Sequence, residues 1–234
     1  MNEKIYTIPV NEAFEKQCGC PICTLSRDLE QKEIDGIMGA AMMEPDIRVQ
    51  TNQLGFCQKH FAQMLGIKNR LSLALILESH LDEVYRRALS DQALPDGKQA
   101  AKEGVPALSE LTHSCYVCGR IEGYLDKMLS TVFYLWKNDA DFPAKVQSQP
   151  YFCLPHFNAL VRRGGKMLNK KEYAHFLDTI VPLERAYFQS VQKDVSWFCK
   201  KHDYRFQDQP WGSSRTAAER AIDLLVSSDY EHKA

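Results

Sequence analysis

The stretch GFCQKHF, residues 55–61, places a cysteine three residues before a histidine and a phenylalanine on each side of the pair. The same layout returns as YFCLPHF at residues 151–157. Each of these CxxH pairs is preceded by a CxxC pair, CPIC at residues 20–23 and CYVC at residues 115–118. The chain therefore contains the pattern CxxC…CxxH twice.

The two patterns match closely in spacing. Thirty-three residues separate Cys23 from Cys57, 34 separate Cys118 from Cys153, and corresponding positions are offset by 95 or 96 residues. A repeat at a fixed offset indicates a duplicated structural unit. We interpret the pattern as an internal duplication.

The duplication predicts two zinc-binding helical modules. The first module is predicted over residues 1–98, and the second over residues 99–234 with a C-terminal helical extension. The boundary falls in DQALPDGKQAAKEGVPALSE, residues 91–110, because two prolines and two glycines among small and charged residues are typical of a linker.

The hydrophobic pattern predicts an all-α fold. Ile121, Leu125 and Met128 recur at helical spacing after the second CxxC pair, and few stretches alternate as strands do. A long C-terminal helix is predicted over residues 170–204, with Pro182 expected to interrupt or kink it. A short final helix is predicted over about residues 215–227.

Composition, charge and cysteine content favour some classes of protein and argue against others. Hydrophobic residues make up 44% of the chain and the net charge is −1, which favours a folded protein and argues against a broad nucleic-acid surface. The sequence has neither a secretory signal at its start nor 18 consecutive apolar residues, so we expect a cytoplasmic protein with no membrane partner. Cytoplasmic thiols stay reduced, so the eight cysteines indicate metal ligands rather than disulfides.

Three thiolates and one imidazole are a typical donor set for a tetrahedral Zn²⁺. A site with four protein ligands is structural, because a catalytic zinc keeps one position open. The sequence therefore predicts two structural Zn²⁺ per chain, and an iron–sulfur cluster is the alternative because three cysteines and one histidine also bind iron. Following the chain, the predicted ligand sets are Cys20, Cys23, Cys57 and His60, and Cys115, Cys118, Cys153 and His156.

Residues 44–52 are predicted to form a loop, and this loop is the best candidate for catalysis. Glu44, Asp46 and Arg48 could perform acid–base chemistry in a hydrolase or transferase, with His202 as a further candidate. The other interpretation is that the acidic residues cap helices. The chain has no nucleophile elbow, phosphate-binding loop or HExxH motif, so no reaction class can be assigned.

A third CxxH pair, Cys199 and His202, has no CxxC pair of its own. Together with Cys18 it could form an open three-ligand site of the hydrolytic type. The alternative is that Cys18 is incidental and that Cys199 packs as a small apolar residue.

The chain resembles an uncharacterised bacterial family of unknown function with two CxxC…CxxH modules. The resemblance rests on IYTIPVNEAFE, CPIC, MMEPDIRVQTNQLGFC, NRLSLAL, DYRF and PWGSS, and it spans nearly the whole chain. It implies a cytosolic zinc-binding protein of one compact unit and brings no established activity. Cys199 and His202 are not part of the family pattern.

These observations lead to one main functional hypothesis and two alternatives. The main hypothesis is a non-enzymatic, zinc-stabilised helical protein that binds an unidentified protein or small molecule. The alternatives are an enzyme that uses the segment at residues 44–52, and an iron–sulfur or redox-sensing protein.

Overall fold

The computed structural model describes residues 3–227, and helices are the only regular secondary structure in that range. The all-α prediction is confirmed. Within the described range no helix combines the length and apolar character needed to cross a membrane. The α-helices are α1 Thr7–Glu15, α2 Pro21–Met38, α3 Pro45–Leu54, α4 Gln58–Gly66, α5 Arg70–Val84, α6 Gly97–Glu103, α7 Pro106–His113, α8 Tyr116–Asn138, α9 Phe142–Gln147, α10 Leu154–Met167, α11 Lys170–Lys200 and α12 Ala217–Leu225.

The predicted long C-terminal helix is α11, and the predicted short final helix is α12. A capping box starts α11. The Asn169 side chain accepts hydrogen bonds from the N–H groups of Lys171 and Glu172, at 3.0 and 2.9 Å, and the Glu172 carboxylate accepts one from the Asn169 N–H at 3.0 Å. The helix continues through Pro182, so the expected interruption does not occur. The proline removes one donor, and the long helix on both sides of it is retained.

Contacts between residues divide the chain into two compact units. The continuous unit consists of residues 28–124, and the discontinuous unit combines residues 1–27 with residues 125–234. The divisions fall inside α2 and α8. They lie elsewhere than the boundary predicted between residues 98 and 99, and the expectation of one compact unit stays a prediction.

The segment predicted as a linker contains α6 and α7. The Asp96 side chain caps α6 by accepting hydrogen bonds from the N–H groups of Lys98 and Gln99, both at 2.9 Å. Gly104 follows α6 with a φ of 67°, and Pro106 begins α7. Gly104 therefore ends one short helix and Pro106 begins the next, within the segment predicted as an irregular linker.

The core of the continuous unit forms around one face of α2. Ile34, Ile37 and Met38 recur at the spacing of an amphipathic helix and are each at most 3% exposed. They belong to one cluster of buried residues, whose other members are Phe56, Met64, Leu73, Ile76, Tyr116 and Val117.

Aromatic rings dominate the core of the discontinuous unit. Phe14 of α1 packs against Phe142 of α9 and against Phe152, with ring centroids 5.0 and 6.3 Å apart. Phe176 of α11 packs edge-on against Trp136 of α8 at 5.0 Å. Tilted and edge-on contacts are the arrangements that aromatic rings prefer. This packing fixes Phe152 beside α1, immediately before Cys153.

A buried lysine at the end of α11 holds the following segment in place through hydrogen bonds. Lys201 is 4% exposed, and its Nζ donates hydrogen bonds to the carbonyls of Phe206, Gln207 and Gln209 at 2.7, 2.7 and 2.6 Å. The same Nζ lies 5.2 Å from the ring centroid of Trp211. Three carbonyls and an indole ring therefore satisfy an ammonium group that has been removed from water.

Candidate metal centres

Cys20, Cys23, Cys153 and His156 bring four potential ligand atoms together in the discontinuous unit, and we call them the first site. His156 Nδ1 lies 3.6 Å from Cys20 Sγ, 3.4 Å from Cys23 Sγ and 3.1 Å from Cys153 Sγ. The sulfurs of Cys23 and Cys153 are 3.6 Å apart. These distances place three sulfurs and one nitrogen around a common point.

Two helix starts build the first site. Cys20 precedes α2, and the Thr24 N–H donates to the Cys20 carbonyl at 3.2 Å, which places Cys23 in the first turn. Cys153 is the N-cap of α10, and the Phe157 N–H donates to the Cys153 carbonyl at 2.8 Å. Residues three apart in one turn lie on the same face, so each pair presents both of its ligands to one point.

Cys57, His60, Cys115 and Cys118 form the equivalent cluster in the continuous unit, and we call them the second site. His60 Nδ1 lies 3.2 Å from both Cys57 Sγ and Cys115 Sγ, and 3.5 Å from Cys118 Sγ. The sulfurs of Cys57 and Cys118 are 3.9 Å apart. Both sites therefore use three sulfurs and the Nδ1 atom of a histidine.

Backbone contacts join the two halves of the second site. The Tyr116 N–H donates to the Gly55 carbonyl at 2.9 Å, and Ser114 Oγ donates to the Leu54 carbonyl at 2.7 Å. Gly55 has a φ of 58°, and a Cβ there would lie 2.9 Å from atoms of the His80 ring. Glycine is therefore required at this position both by conformation and by space.

The structure brings together all eight predicted ligands but pairs them differently. The CxxC pair of residues 20–23 joins the CxxH pair of residues 153–156, and residues 57–60 join residues 115–118. The predicted pairing of each CxxC with the next CxxH along the chain is therefore corrected. The reason is that every CxxC and CxxH turn offers the same local geometry, so the packing of the two units decides the partners.

Exposure of the thiols differs between the two sites. The three cysteines of the first site are at most 5% exposed, whereas the three cysteines of the second site are half-buried. Protection from solvent is therefore greater at the first site.

Each site contains one thiol whose pKa is strongly lowered. Hydrogen bonds with Cys153 and Cys20 lower the pKa of Cys23, and hydrogen bonds with Cys118 and His60 lower the pKa of Cys115. The thiolate is the form of cysteine that binds metal ions. In the same clusters burial raises the pKa of Cys20, and the hydrogen bond with Cys115 raises the pKa of Cys118, so each site favours one thiolate and keeps another thiol protonated.

Glu30 of α2 supports the second site, and sequence reasoning missed it. Its Oε1 atom accepts a hydrogen bond from His60 Nε2 at 2.9 Å, and it is also contacted by Lys59 Nζ at 2.6 Å and, through Oε2, by Gln63 Nε2 at 3.1 Å. The hydrogen bond with His60 lowers the pKa of Glu30 to about 2, so the group is a carboxylate at neutral pH. Burial opposes protonation of His60, but hydrogen bonds with Cys115 and Glu30 raise its pKa to about 9. If Nδ1 bound a metal ion, Glu30 would hold the remaining proton on Nε2. Nothing in the sequence separates Glu30 from the other acidic residues of α2.

Glu184 of α11 performs a positioning role near the first site. It is 5% exposed, and its Oε2 atom accepts a hydrogen bond from the Phe152 N–H at 2.9 Å. Burial raises its pKa to about 7. The hydrogen bond ties the residue immediately before Cys153 to α11. On the other side of the site, Ser227 Oγ lies 3.5 Å from Cys23 Sγ.

The sequence predicts a loop at residues 44–52, but from Pro45 onward this segment forms most of α3. Arg48 Nη2 donates to the Leu75 carbonyl at 2.8 Å and to Ser79 Oγ at 2.7 Å, which holds α3 against α5. Glu44 is the N-cap of α3, and its carbonyl accepts the Arg48 N–H at 3.0 Å. Asp46 is exposed in the first turn, where the positive end of the helix dipole stabilises a negative charge. Arg48 therefore contributes to helix packing and Asp46 lies where it favours helix initiation, whereas the Glu44 side chain makes no capping hydrogen bond.

His202 packs as an aromatic ring beside the end of α11. Its ring contacts Phe198 at 5.3 Å and Trp211 at 6.2 Å between centroids. Cys18 and Cys199 are exposed, so Cys199 does not pack as an apolar residue. Among residues 3–227, convergent cysteine, histidine and acidic side chains form two groups, and neither contains Cys18, Cys199 or His202.

Comparison with known proteins gives one match. A family model, described as a family of unknown function (DUF6062), matches residues 1–232. No curated protein and no solved structure matches the chain. The match agrees with the resemblance seen in the sequence, and it carries no activity, substrate or partner.

Proposed function

Because the chain belongs to DUF6062, a family of unknown function, we propose its role from the two sites: a zinc-stabilised helical protein that binds a protein or small-molecule partner. The first site would hold one Zn²⁺ and the second site another. The observation that carries this proposal is the convergence, in each unit, of three cysteine sulfurs and one histidine Nδ1 atom.

The spacing of the donor atoms fits a tetrahedral zinc ion. With Zn–S bonds of ~2.3 Å and Zn–N bonds of ~2.0–2.1 Å, tetrahedral geometry requires about 3.8 Å between sulfurs and about 3.5 Å between sulfur and nitrogen. The corresponding distances are 3.6 and 3.9 Å between sulfurs, and 3.1–3.6 Å between sulfur and nitrogen.

Four protein ligands at each site favour a structural role for the metal. A catalytic zinc needs a position for water or substrate, and a set of three sulfurs and one imidazole fills all four positions. A bound Zn²⁺ would supply folding free energy by linking helix starts that are distant in the chain. The Arg48 guanidinium is engaged in holding α3 against α5, which weakens the enzyme alternative.

The same distances favour a single ion over an iron–sulfur cluster. In a cluster the protein ligands bind different iron atoms, so their donor atoms must spread around a larger object. Here the sulfur–nitrogen distances within each site are between 3.1 and 3.6 Å, which suits one metal ion. Soft thiolate ligands bind zinc as readily as iron, so metal analysis is the direct test.

Protein purified without added metal is expected to contain two zinc ions per chain and no iron. The measurement is elemental mass spectrometry under anaerobic conditions, combined with a visible absorption spectrum. A colourless protein with two zincs would support the proposal. Iron together with absorption in the visible range would replace it with an electron-transfer or cluster-sensing function.

The proposed compartment is the cytoplasm, and the proposed activity is binding. The eight cysteines all lie within the described residues and none forms a disulfide, as expected where thiols are kept reduced. The net charge of −1 does not favour nucleic acid as the partner. A protein or small molecule is therefore the partner that we propose.

Glu30→Gln is expected to weaken zinc binding at the second site about tenfold, because partners of metal-binding histidines typically contribute 10–100-fold to affinity. The substitution keeps the size of the side chain and removes the charge that holds the Nε2 proton of His60. Competition with a chromophoric zinc chelator would measure the change. Binding at the first site should stay the same.

Glu33→Gln is the matched control for Glu30→Gln. Glu33 lies on the same helix, and its carboxylate pairs with Arg120 at 2.7 Å instead of with His60. The control should bind both zincs with unchanged affinity. Equal effects of the two substitutions would show that Glu30 acts only through general helix stability.

A further inference from the structure

A cavity outside both metal sites lies in the discontinuous unit, between the end of α11 and the short turn Gly212–Thr216. Its volume is about 430 Å³, and pockets for small molecules usually measure about 300–1,000 Å³. Its lining includes two tryptophans, two lysines and a serine, namely Trp197, Trp211, Lys193, Lys200 and Ser213.

Two indole rings form fixed walls of this cavity. Trp197 Nε1 donates a hydrogen bond to the Pro210 carbonyl at 3.2 Å. Trp211 packs against Phe198 at 5.5 Å between ring centroids and lies 5.2 Å from the ammonium of Lys201. Because the Lys201 ammonium also binds three carbonyls of the same loop, the rings are already held in place before any ligand arrives.

The charged groups of the cavity are mainly positive. Lys193 and Lys200 are exposed, lie seven residues apart on α11 and therefore occupy the same face. Asp194 also lines the cavity, but its carboxylate is paired with Arg220 at 2.6 Å. Among the ion pairs of residues 3–227, none involves Lys193 or Lys200. Two ammonium groups thus remain available beside the indoles.

We propose that this cavity binds an aromatic anion, meaning a planar ring system that carries a carboxylate, sulfonate or phosphate group. The flat body of the ligand would pack on the indole rings, and its anionic group would pair with Lys193 and Lys200. This inference rests on the proposed binding function and names the chemical class of the ligand. It uses neither metal site directly.

The test uses 2-naphthalenesulfonate as a probe and the tryptophan indole N–H signals of the nitrogen-15-labelled full chain as the readout. The chain contains three tryptophans, and Trp197 and Trp211 line the cavity, whereas Trp136 is 6% exposed and packs against Phe176. Saturable shifts of the Trp197 and Trp211 signals, with the Trp136 signal unchanged, are expected. The uncharged analogue 2-naphthalenemethanol should bind about tenfold more weakly, because it lacks the charge-assisted contacts.

A matched pair of double variants tests the role of charge. Lys193→Gln with Lys200→Gln should weaken probe binding about tenfold, whereas Lys170→Gln with Lys171→Gln, at the exposed start of the same helix, should leave it unchanged. The inference is overturned if the probe causes no saturable shift, if the uncharged analogue binds equally well, or if the two double variants behave alike.

Zinc content of the same samples separates this inference from the proposed function. Two zincs per chain without probe binding would overturn the ligand class and leave the metal proposal intact. Fewer than two zincs would contradict the metal proposal whatever the probe does.

Discussion

A protein that carries both Cys23→Ser and Cys153→Ser is expected to retain one zinc ion per chain, because both cysteines belong to the first site. A protein that carries Cys23→Ser and Cys57→Ser is expected to retain none, because each substitution disables a different site. Elemental mass spectrometry of the purified variants gives the zinc content. Pairing of each CxxC with the next CxxH along the chain requires the opposite result, no zinc in the first variant and one in the second.

Loss of zinc in these variants should also lower the free energy of unfolding by a large amount. Structural zinc contributes on the order of 10 kcal/mol in small finger peptides, and a whole domain is stable by only about 5–15 kcal/mol. The control is Cys18→Ser with Cys199→Ser, since both cysteines are exposed and lie outside the two sites. This control should keep two zincs and change the free energy of unfolding by no more than about 0.5 kcal/mol.

Lys201→Met is expected to lower the free energy of unfolding by about 2–4 kcal/mol, because three carbonyls would each lose a charge-assisted donor. Methionine preserves most of the apolar stem, so the substitution tests the ammonium group rather than the packing. The segment from Phe206 to Trp211 should lose its fixed conformation as a result. Urea unfolding of the zinc-bound protein, followed by circular dichroism, measures the loss.

Lys200→Met provides the comparison for Lys201→Met. Lys200 is the preceding residue and is exposed, so its replacement should change the free energy of unfolding by no more than about 0.5 kcal/mol. Similar unfolding curves for the two variants would mean that the three carbonyls find other donors and that the buried lysine is not required.

The all-α fold and the eight candidate ligands could be predicted because the signals are local. Helical spacing of apolar residues is visible within one or two turns, and a CxxC or CxxH pair is defined within four residues. In the structure each pair does lie at a helix start, for example Cys57 as the N-cap of α4 and Cys153 as the N-cap of α10. No long-range information was needed for either prediction.

The pairing of the ligands could not be predicted because chain length barely discriminates between the options. The adjacent pairing closes a loop of 33 residues between Cys23 and Cys57, and the observed pairing closes one of 129 residues between Cys23 and Cys153. Each doubling of loop length costs only about 0.6 kcal/mol, so these two loops differ by about 1.2 kcal/mol. Core packing, such as the contact of Phe14 with Phe152, easily outweighs that difference.

Glu30 and Lys201 show why supporting residues escape sequence reasoning. Glu30 is one of several acidic residues in α2, and Lys201 follows another lysine, so neither stands out in the sequence. Only folding brings Glu30 to His60 and Lys201 to its three carbonyl partners. The helices inside the predicted linker escape detection for a different reason. Asp96 and Pro106 are residue types common in loops, and they are also common at helix starts.

The crossed pairing has a consequence for the time course of synthesis. Cys20, Cys23, Cys57 and His60 leave the ribosome first, and Cys115 follows 55 residues after His60. At roughly 5–20 residues per second, that interval lasts about 3–11 s. During it, the nascent chain carries Cys20, Cys23, Cys57 and His60 together, a set that is divided between two sites in the finished protein. A zinc ion at the second site, as proposed above, would therefore bind after Cys118 has emerged, or an early-bound zinc would have to be released so that the ligands could exchange partners.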